Sequence, residues 1–433
     1  MIRLDYRFRD TVMYPNESTR ERVHQSRHNI PRENDPLLRK TLRNGEARSK
    51  AWFLILLFSL IVLVLYKNGH SRINATPNLK SSTTSNPDRN KYIRPGDIFY
   101  DTQGEPINAH GGGFLRYNDT YYWYGEIKQG KTYLPAANAN WGGTRVDFVG
   151  ISCYASTNLV DWHKCTTYNV LPAVNDDPSH DLHWTKVGER PKVVYNAKTK
   201  MFVMWLHVDT MDYQLARCGV ATSSSPEGQF SYLGSFRPGG HHRPLASYPG
   251  IGATHTEDEQ MARDLTVFVD DDTKAYLFTS SENNSVMHIS ELTGDYLSTT
   301  GTYQRIFVGA YVEAPSIFKK DGLYHFIGSG CTAWYPNAAR SAVAVSIWGP
   351  WILTGNPCRG EEANTTFRSQ STFVIPVSNG RDDFYVFVAD RWNMYNLSDS
   401  RYVWLPLSFD RTSGLDMIAI WWQDFWTPED YTT

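Results

Sequence analysis

The chain has 433 residues, with 43 Lys plus Arg against 45 Asp plus Glu and a formal charge of -2. That balance excludes a global electrostatic pull on nucleic acid, and the length admits two average domains or one large β-architecture. Aromatic residues make up 14 %, including 14 Trp and 26 Tyr; most must fill sheet interfaces, and a minority can stack on pyranose faces.

In chain order, residues 1–50 read as a polar cytosolic tail containing "ENDPLL", which has the form of an acidic dileucine sorting signal. "AWFLILLFSLIVLVLY", residues 51–66, is uncharged and bracketed by Lys50 and Lys67. As a helix it spans roughly 24 Å, which suits a thin bilayer. The long preamble and the lack of a small-x-small cleavage site argue against a cleaved signal peptide. Arg32, Arg39, Lys40, Arg43, Arg48 and Lys50 lie before the span, against Lys67, Arg72 and Lys80 after it. This asymmetry predicts a type II signal anchor with the remainder lumenal, and the short span points to the Golgi membrane. Asn74, Asn118, Asn283, Asn364 and Asn396 each begin an N-x-[ST] sequon on the expected lumenal side. So do all five cysteines lie there: Cys153, Cys165, Cys218, Cys331 and Cys358. An odd count leaves at least one thiol outside any internal pairing. Cys153 and Cys165 flank a turn, where they can either bridge adjacent strands or serve as small buried side chains.

Residues 67–91 are polar, without apolar period, and read as a flexible stem. From 92 to 433 a turn followed by an aromatic-rich strand recurs: "NDTYYWYGE", "AKTKMFVMWLHV", "DDTKAYLFTSS", "KDGLYHFIGSG" and "GRDDFYVFVAD". Alternation after turn residues marks the second strand of a hairpin. No helical period appears beyond the span, so the expected fold is all-β: a five-bladed β-propeller after a single transmembrane helix.

In a propeller the innermost strand of each blade borders one shared axis. About a dozen residues before each aromatic strand stand "NAHGGGF", "VGERPKV", "ARDLTVF", "YVEAPSI" and "RSQSTFV". The polar residues at this position are His110 or its glycines, Glu189, Asp264, Glu313 and Gln370. Three are carboxylates, whose mutual repulsion and desolvation raise the pKa of at least one and suit it to donate protons near neutral pH. Paired carboxylates among aromatic walls are what glycoside hydrolysis needs. Metal binding is the competing use of such a ring. The mixture of Glu, Asp and Gln without a His-x-His or Asp-x-Asp cluster favours catalysis, with no metal and no cofactor.

"GERPKV", "RDLTVFVDDDTKAYLFTSSENN" and "EAPSIF", in this order and with five-fold repetition, resemble glycoside hydrolase family 43. The similarity is to its exo-β-1,3-galactanase branch and to Golgi-anchored plant members acting on arabinogalactan proteins, and it covers about residues 92–433. It implies an inverting exo-hydrolase in which Glu313 is the general acid, Glu189 tunes and orients that acid, and Gln370 holds the attacking water. Asp264, Tyr213, Thr332 and Trp334 match contacts to the terminal galactose, with Glu126 a further candidate. The wider family's aspartate base is replaced by "AHGGG" in blade one, a departure shared by the galactanase branch. That departure keeps open a catalytically silent glycan- or protein-binding propeller; among enzymes, a β-xylosidase or α-arabinofuranosidase is the alternative. Asp264 has a rival structural role as a salt-bridge partner of Arg263. His110, beside three glycines, is expected to be structural.

Overall fold

Strands that alternate side chains between two faces bury both faces only when a sheet is covered on each side. The five aromatic segments meet that condition: each is the second strand of an antiparallel sheet stacked between two others. The computed structural model describes residues 91–134, 144–238, 260–378, 383–410 and 416–431. Of the expected tail, span and stem (residues 1–91), all but Lys91 lie outside them, and no helix among the described residues is long and apolar enough to cross a membrane.

Blade one comprises β1 (His110–Tyr117), β2 (Thr120–Glu126), β3 (Gly150–Ser156) and β4 (His163–Pro172). Blade two comprises β5 (Val187–Asn196), β6 (Met201–Asp209), β7 (Arg217–Ser223) and β8 (Ser231–Phe236). Blade three comprises β9 (Ala262–Val269), β10 (Ala275–Ser281), β11 (Val286–Leu292) and β12 (Thr299–Ile306); blade four comprises β13 (Val312–Lys320), β14 (Leu323–Gly330), β15 (Arg340–Ala344) and β16 (Ile352–Gly355). Blade five comprises β17 (Cys358–Arg359), β18 (Gln370–Ser378), β19 (Asp383–Arg391), β20 (Arg401–Asp410) and β21 (Met417–Trp421), with β17 lying parallel to β21 at the edge. The first strands pack in a closed ring, β1 on β5, β5 on β9, β9 on β13, β13 on β18 and β18 on β1. This is the expected all-β five-bladed propeller.

Five buried clusters fill the five seams between blades. In β6, Phe202, Met204, Leu206 and Val208 pack toward blade one, while Val203 and Trp205 pack toward blade three. The largest aromatic seam joins blade one to blade five, where Phe114, Trp123 and Trp162 meet Tyr402 and Trp404. Ile93 bridges Trp426 across that junction, so the two ends of the described chain are tied together.

Every inner strand has an irregularity near its start. The register shifts between His110 and Gly113, Glu189 and Lys192, Ala262 and Leu265, Glu313 and Ser316, and Ser371 and Phe373. Such bulges twist a strand and re-aim the neighbouring side chain. In three of them the following residue is left-handed: Gly111 (φ 57), Arg190 (φ 52) and Ala314 (φ 56). For arginine and alanine that conformation costs free energy, a strain that clusters at functional sites.

Candidate active site

The bulges open into a cavity of about 590 Å³ at one end of the ring. All eight residues expected at the site line it: Glu126, Glu189, Tyr213, Asp264, Glu313, Thr332, Trp334 and Gln370. Arg190, His207, Asn284, Cys331 and Trp392 line it too, and the sequence reading missed them.

Glu313 sits half-buried at its centre. Gln370 Nε2 donates to Glu313 Oε1 (3.0 Å) and to Ser329 Oγ (3.1 Å), while Asn284 Nδ2 approaches Oε2 at 3.4 Å. The amide is oriented by its oxygen, which accepts from Arg190 Nη2 (2.8 Å) and Trp392 Nε1 (3.0 Å). Burial first, then the Asp264 carboxylate, pushes Glu313 up from 4.5 to about 8, against the pull of Arg190, the Cys331 thiol and Gln370. Glu313 therefore holds its proton at neutral pH.

A second group surrounds Glu189. Tyr213 Oη donates to Oε1 (2.9 Å), Lys128 Nζ lies 3.7 Å from the same oxygen, and His207 Nδ1 lies 3.5 Å from Oε2. Burial alone would raise the carboxyl, but His207, Lys128 and Tyr213 outweigh it and hold Glu189 at about 2. His207 is fully buried, and its Nε2 lies 2.8 Å from Asp209 Oδ2; desolvation opposes its charge, yet the two carboxylates lift it to about 9. Lys128 also pairs with Glu126 (2.6 Å) and faces the rings of Trp334 and Trp392, which meet edge to face. Burial and the Glu189 charge carry Glu126 up to about 7 despite Lys128. One pocket thus holds a protonated acid and an ionised carboxylate side by side.

The structure revises two sequence expectations, both at Asp264. Glu189, Glu313 and His110 start their bulges and Gln370 stands one residue before its own, but Asp264 does not share that position: Ala262 occupies the start, and Asp264 lies two residues further in. Its carboxylate still reaches the site, because Oδ2 accepts from Arg190 Nε (2.9 Å) and the Ala314 amide (3.0 Å). Its ion-pair partner is therefore Arg190; Arg263 instead donates to the Tyr213 carbonyl and to Asn283 and Asn284. Among the carboxylates, Asp264 raises Glu313 the most.

In blade one the acid comes from the second strand. His110 is buried against Tyr402 and its Nδ1 lies 3.0 Å from Asp390 Oδ1, whereas Glu126 enters the cavity from the end of β2. A Cβ on Gly111 would lie 2.2 Å from Glu126 Oε1, so the glycine run makes room for that carboxylate. Glu189, His207 and Asp264 bring ligand atoms within 4.8 Å of one another. Protonation of His207 and the Arg190–Asp264 pair make this a poor donor set for a divalent cation. Cys153 and Cys165 are both buried and face one another across β3 and β4, sulfurs 2.6 Å apart. Asn118, Asn283, Asn364 and Asn396 are exposed.

Residues 113–400 match the sequence model of glycosyl hydrolases family 43. The chain is similar to a family 43 β-1,3-galactosidase solved with galactodeoxynojirimycin: 40 % identity, TM-score 0.68, covering 77 % of this chain and 100 % of that one. It is also similar to an exo-β-1,3-galactanase of Phanerochaete chrysosporium solved with β-1,3-galactotriose: 32 % identity, TM-score 0.63, covering 78 % and 68 %. A β-D-galactofuranosidase of Aspergillus niger shares 24 % identity over 314 residues, 72 % of this chain and 79 % of the relative.

Proposed function

Since the chain belongs to glycosyl hydrolase family 43, in the exo-β-1,3-galactanase branch, and is a glycoside hydrolase, we propose that it removes terminal galactose from β-1,3-galactan chains of arabinogalactan-type glycans with inversion. One observation supports this most: Glu313 is a carboxyl kept protonated by burial and by the neighbouring Asp264 carboxylate, in a pocket walled by Trp334 and Trp392. That pairing is what protonation of a glycosidic oxygen requires.

In this mechanism the terminal galactose enters the cavity, and Tyr213, Glu126, Asp264, Thr332 and Trp334 receive its hydroxyls and ring face. Glu189, ionised and fixed by His207, Lys128 and Tyr213, anchors the sugar beside the acid. Glu313 gives its proton to the leaving oxygen as the anomeric C–O bond breaks. Gln370 orients the attacking water with the N–H now given to Ser329; the amide is neutral and does not keep the proton, which the water passes to bulk solvent as its oxygen bonds the anomeric carbon. No carboxylate enters the cavity from the inner strand of blade one, so direct attack by water inverts the anomeric centre. The proposal includes placement in the Golgi membrane: cytosolic residues 1–50, a type II anchor at 51–66, a stem at 67–91 and a lumenal catalytic domain at 92–433. The flanking charges support that placement.

The test separates acid from helper. Glu313→Gln should slow cleavage of β-1,3-galactotriose by about 10²–10⁴-fold. It should slow an aryl galactoside with an activated leaving group far less, because that group departs with little protonation. Gln370→Ala should slow both substrates alike, since water must be placed whatever leaves. Native-rate cleavage of the trisaccharide by Glu313→Gln would remove Glu313 from the role of acid.

A further inference from the structure

A second cavity, of about 630 Å³, opens in blade four and shares Tyr311, Cys331 and Thr332 with the first. That volume lies within the range of small-molecule sites. Its polar side chains are mostly spent on building the wall. Asn337 closes on both backbone groups of Gly330 (2.8 and 2.9 Å), Asn356 bonds the Ala363 carbonyl and the Cys358 amide, and Ser341 bonds Thr354 and Gly355.

Arg340, the first residue of β15, is the exception. Its Nη1 donates to the carbonyls of Ala310 and Tyr311, which aims the guanidinium. Nη2 lies 3.3 Å from where a Cβ on Gly330 would stand, at the cavity wall. Arg190 and Arg305 each meet a carboxylate, at 2.9 and 2.6 Å, but among the described residues no carboxylate pairs with Arg340. A guanidinium fixed by neutral carbonyls keeps its full charge, and its planar edge matches a carboxylate. Beside it Tyr311 is 55 % exposed and Leu353 54 %, apolar faces on which a sugar ring can rest.

We propose that this cleft is a subsite for a uronic acid branch on the galactan chain, with Arg340 pairing the branch carboxylate. The proposal rests on the galactanase reading above. Because the two cavities share a wall, a chain whose end lies in the first can place a pendant sugar in the second. The enzyme would then favour chains with acidic branches over chains with neutral ones.

Three substrates test it on the full-length protein: β-1,3-galactotriose, the same trisaccharide with a 6-O-glucuronosyl group on its penultimate residue, and the 6-O-glucosyl counterpart. For the native protein, kcat/KM on the glucuronosyl form should exceed that on the glucosyl form by roughly tenfold, as a charged hydrogen bond gives. High salt should shrink the ratio. Arg340→Gln should collapse it to about one, and Arg340→Lys, which keeps the charge without the fork, should retain part of it. A native ratio of one or less overturns the subsite even if Arg340→Gln fails to fold. Cleavage of none of the three refutes the galactanase reading instead, and the subsite falls with it.

Discussion

Asp264→Asn removes the negative charge that acts on Glu313 while preserving side-chain shape. Burial and that charge place Glu313 at about 8, so it is half protonated at pH 8 and about nine-tenths protonated at pH 7. The substitution has two effects of one sign. It deletes the repulsion, and it leaves Arg190 without the carboxylate it now meets at 2.9 Å, freeing its charge to favour ionised Glu313. Both lower the Glu313 pKa. A fall of about one unit, roughly 1.4 kcal/mol, would leave about one-tenth of Glu313 protonated at pH 8 in place of half. Activity there should drop about fivefold beyond any loss seen at pH 5.5, where the acid is protonated either way. The assay is the pH profile of kcat/KM, whose alkaline limb reports the acid of the free enzyme. The native limb should lie near pH 8 and the variant limb at least one unit lower. Asp264 is also proposed to touch the sugar, so the height of the profile can fall throughout; the position of the limb is diagnostic. A limb that stays in place or moves upward refutes the electrostatic account. Glu189→Gln should lower the height and move the limb less, because Glu189 is held by Tyr213, His207 and Lys128.

Other outcomes follow from the same structure. Proton NMR of early product from a β-galactoside should show the α-anomer first; β-anomer first would demand a nucleophile that the inner strand of blade one does not supply. Trp404→Ala, at the aromatic seam of blades one and five, should destabilise the propeller by about 3–5 kcal/mol, read from the denaturant midpoint. Protease added to sealed Golgi vesicles should remove only residues before about 50, and digestion of the propeller instead would reverse the proposed orientation.

The propeller was legible because its signal is local and repeated. A turn followed by an aromatic strand specifies a second strand, and five copies leave few alternatives to a ring of blades. The eight candidate residues also reached one cavity: Glu189, Asp264, Glu313 and Gln370 lie near the start of an inner strand, Glu126 ends β2, and Tyr213, Thr332 and Trp334 stand in the loops that follow β6 and β14. The electrostatic wiring was harder to read. Asp264 lies two residues beyond the position it was assigned, because bulge geometry, invisible in the letters, decides which side chain turns inward. Arg190 follows Glu189 directly, yet only its left-handed backbone brings it to Asp264 and Gln370. His207 and Asp209 gave a signal that was passed over: two polar residues at period two in an otherwise apolar strand. Lys128 and Trp392 fall just beyond aromatic strands, where no repeat marks them.

Product identification tests the central claim most directly. The purified protein should be incubated with β-1,3-galactan and, separately, with aryl β-xylosides and aryl α-arabinofuranosides, and the released sugars identified. The account predicts galactose released one unit at a time from galactan, with little xylose or arabinose. Release of xylose or arabinose with galactan left intact, or no release from any substrate, would contradict it.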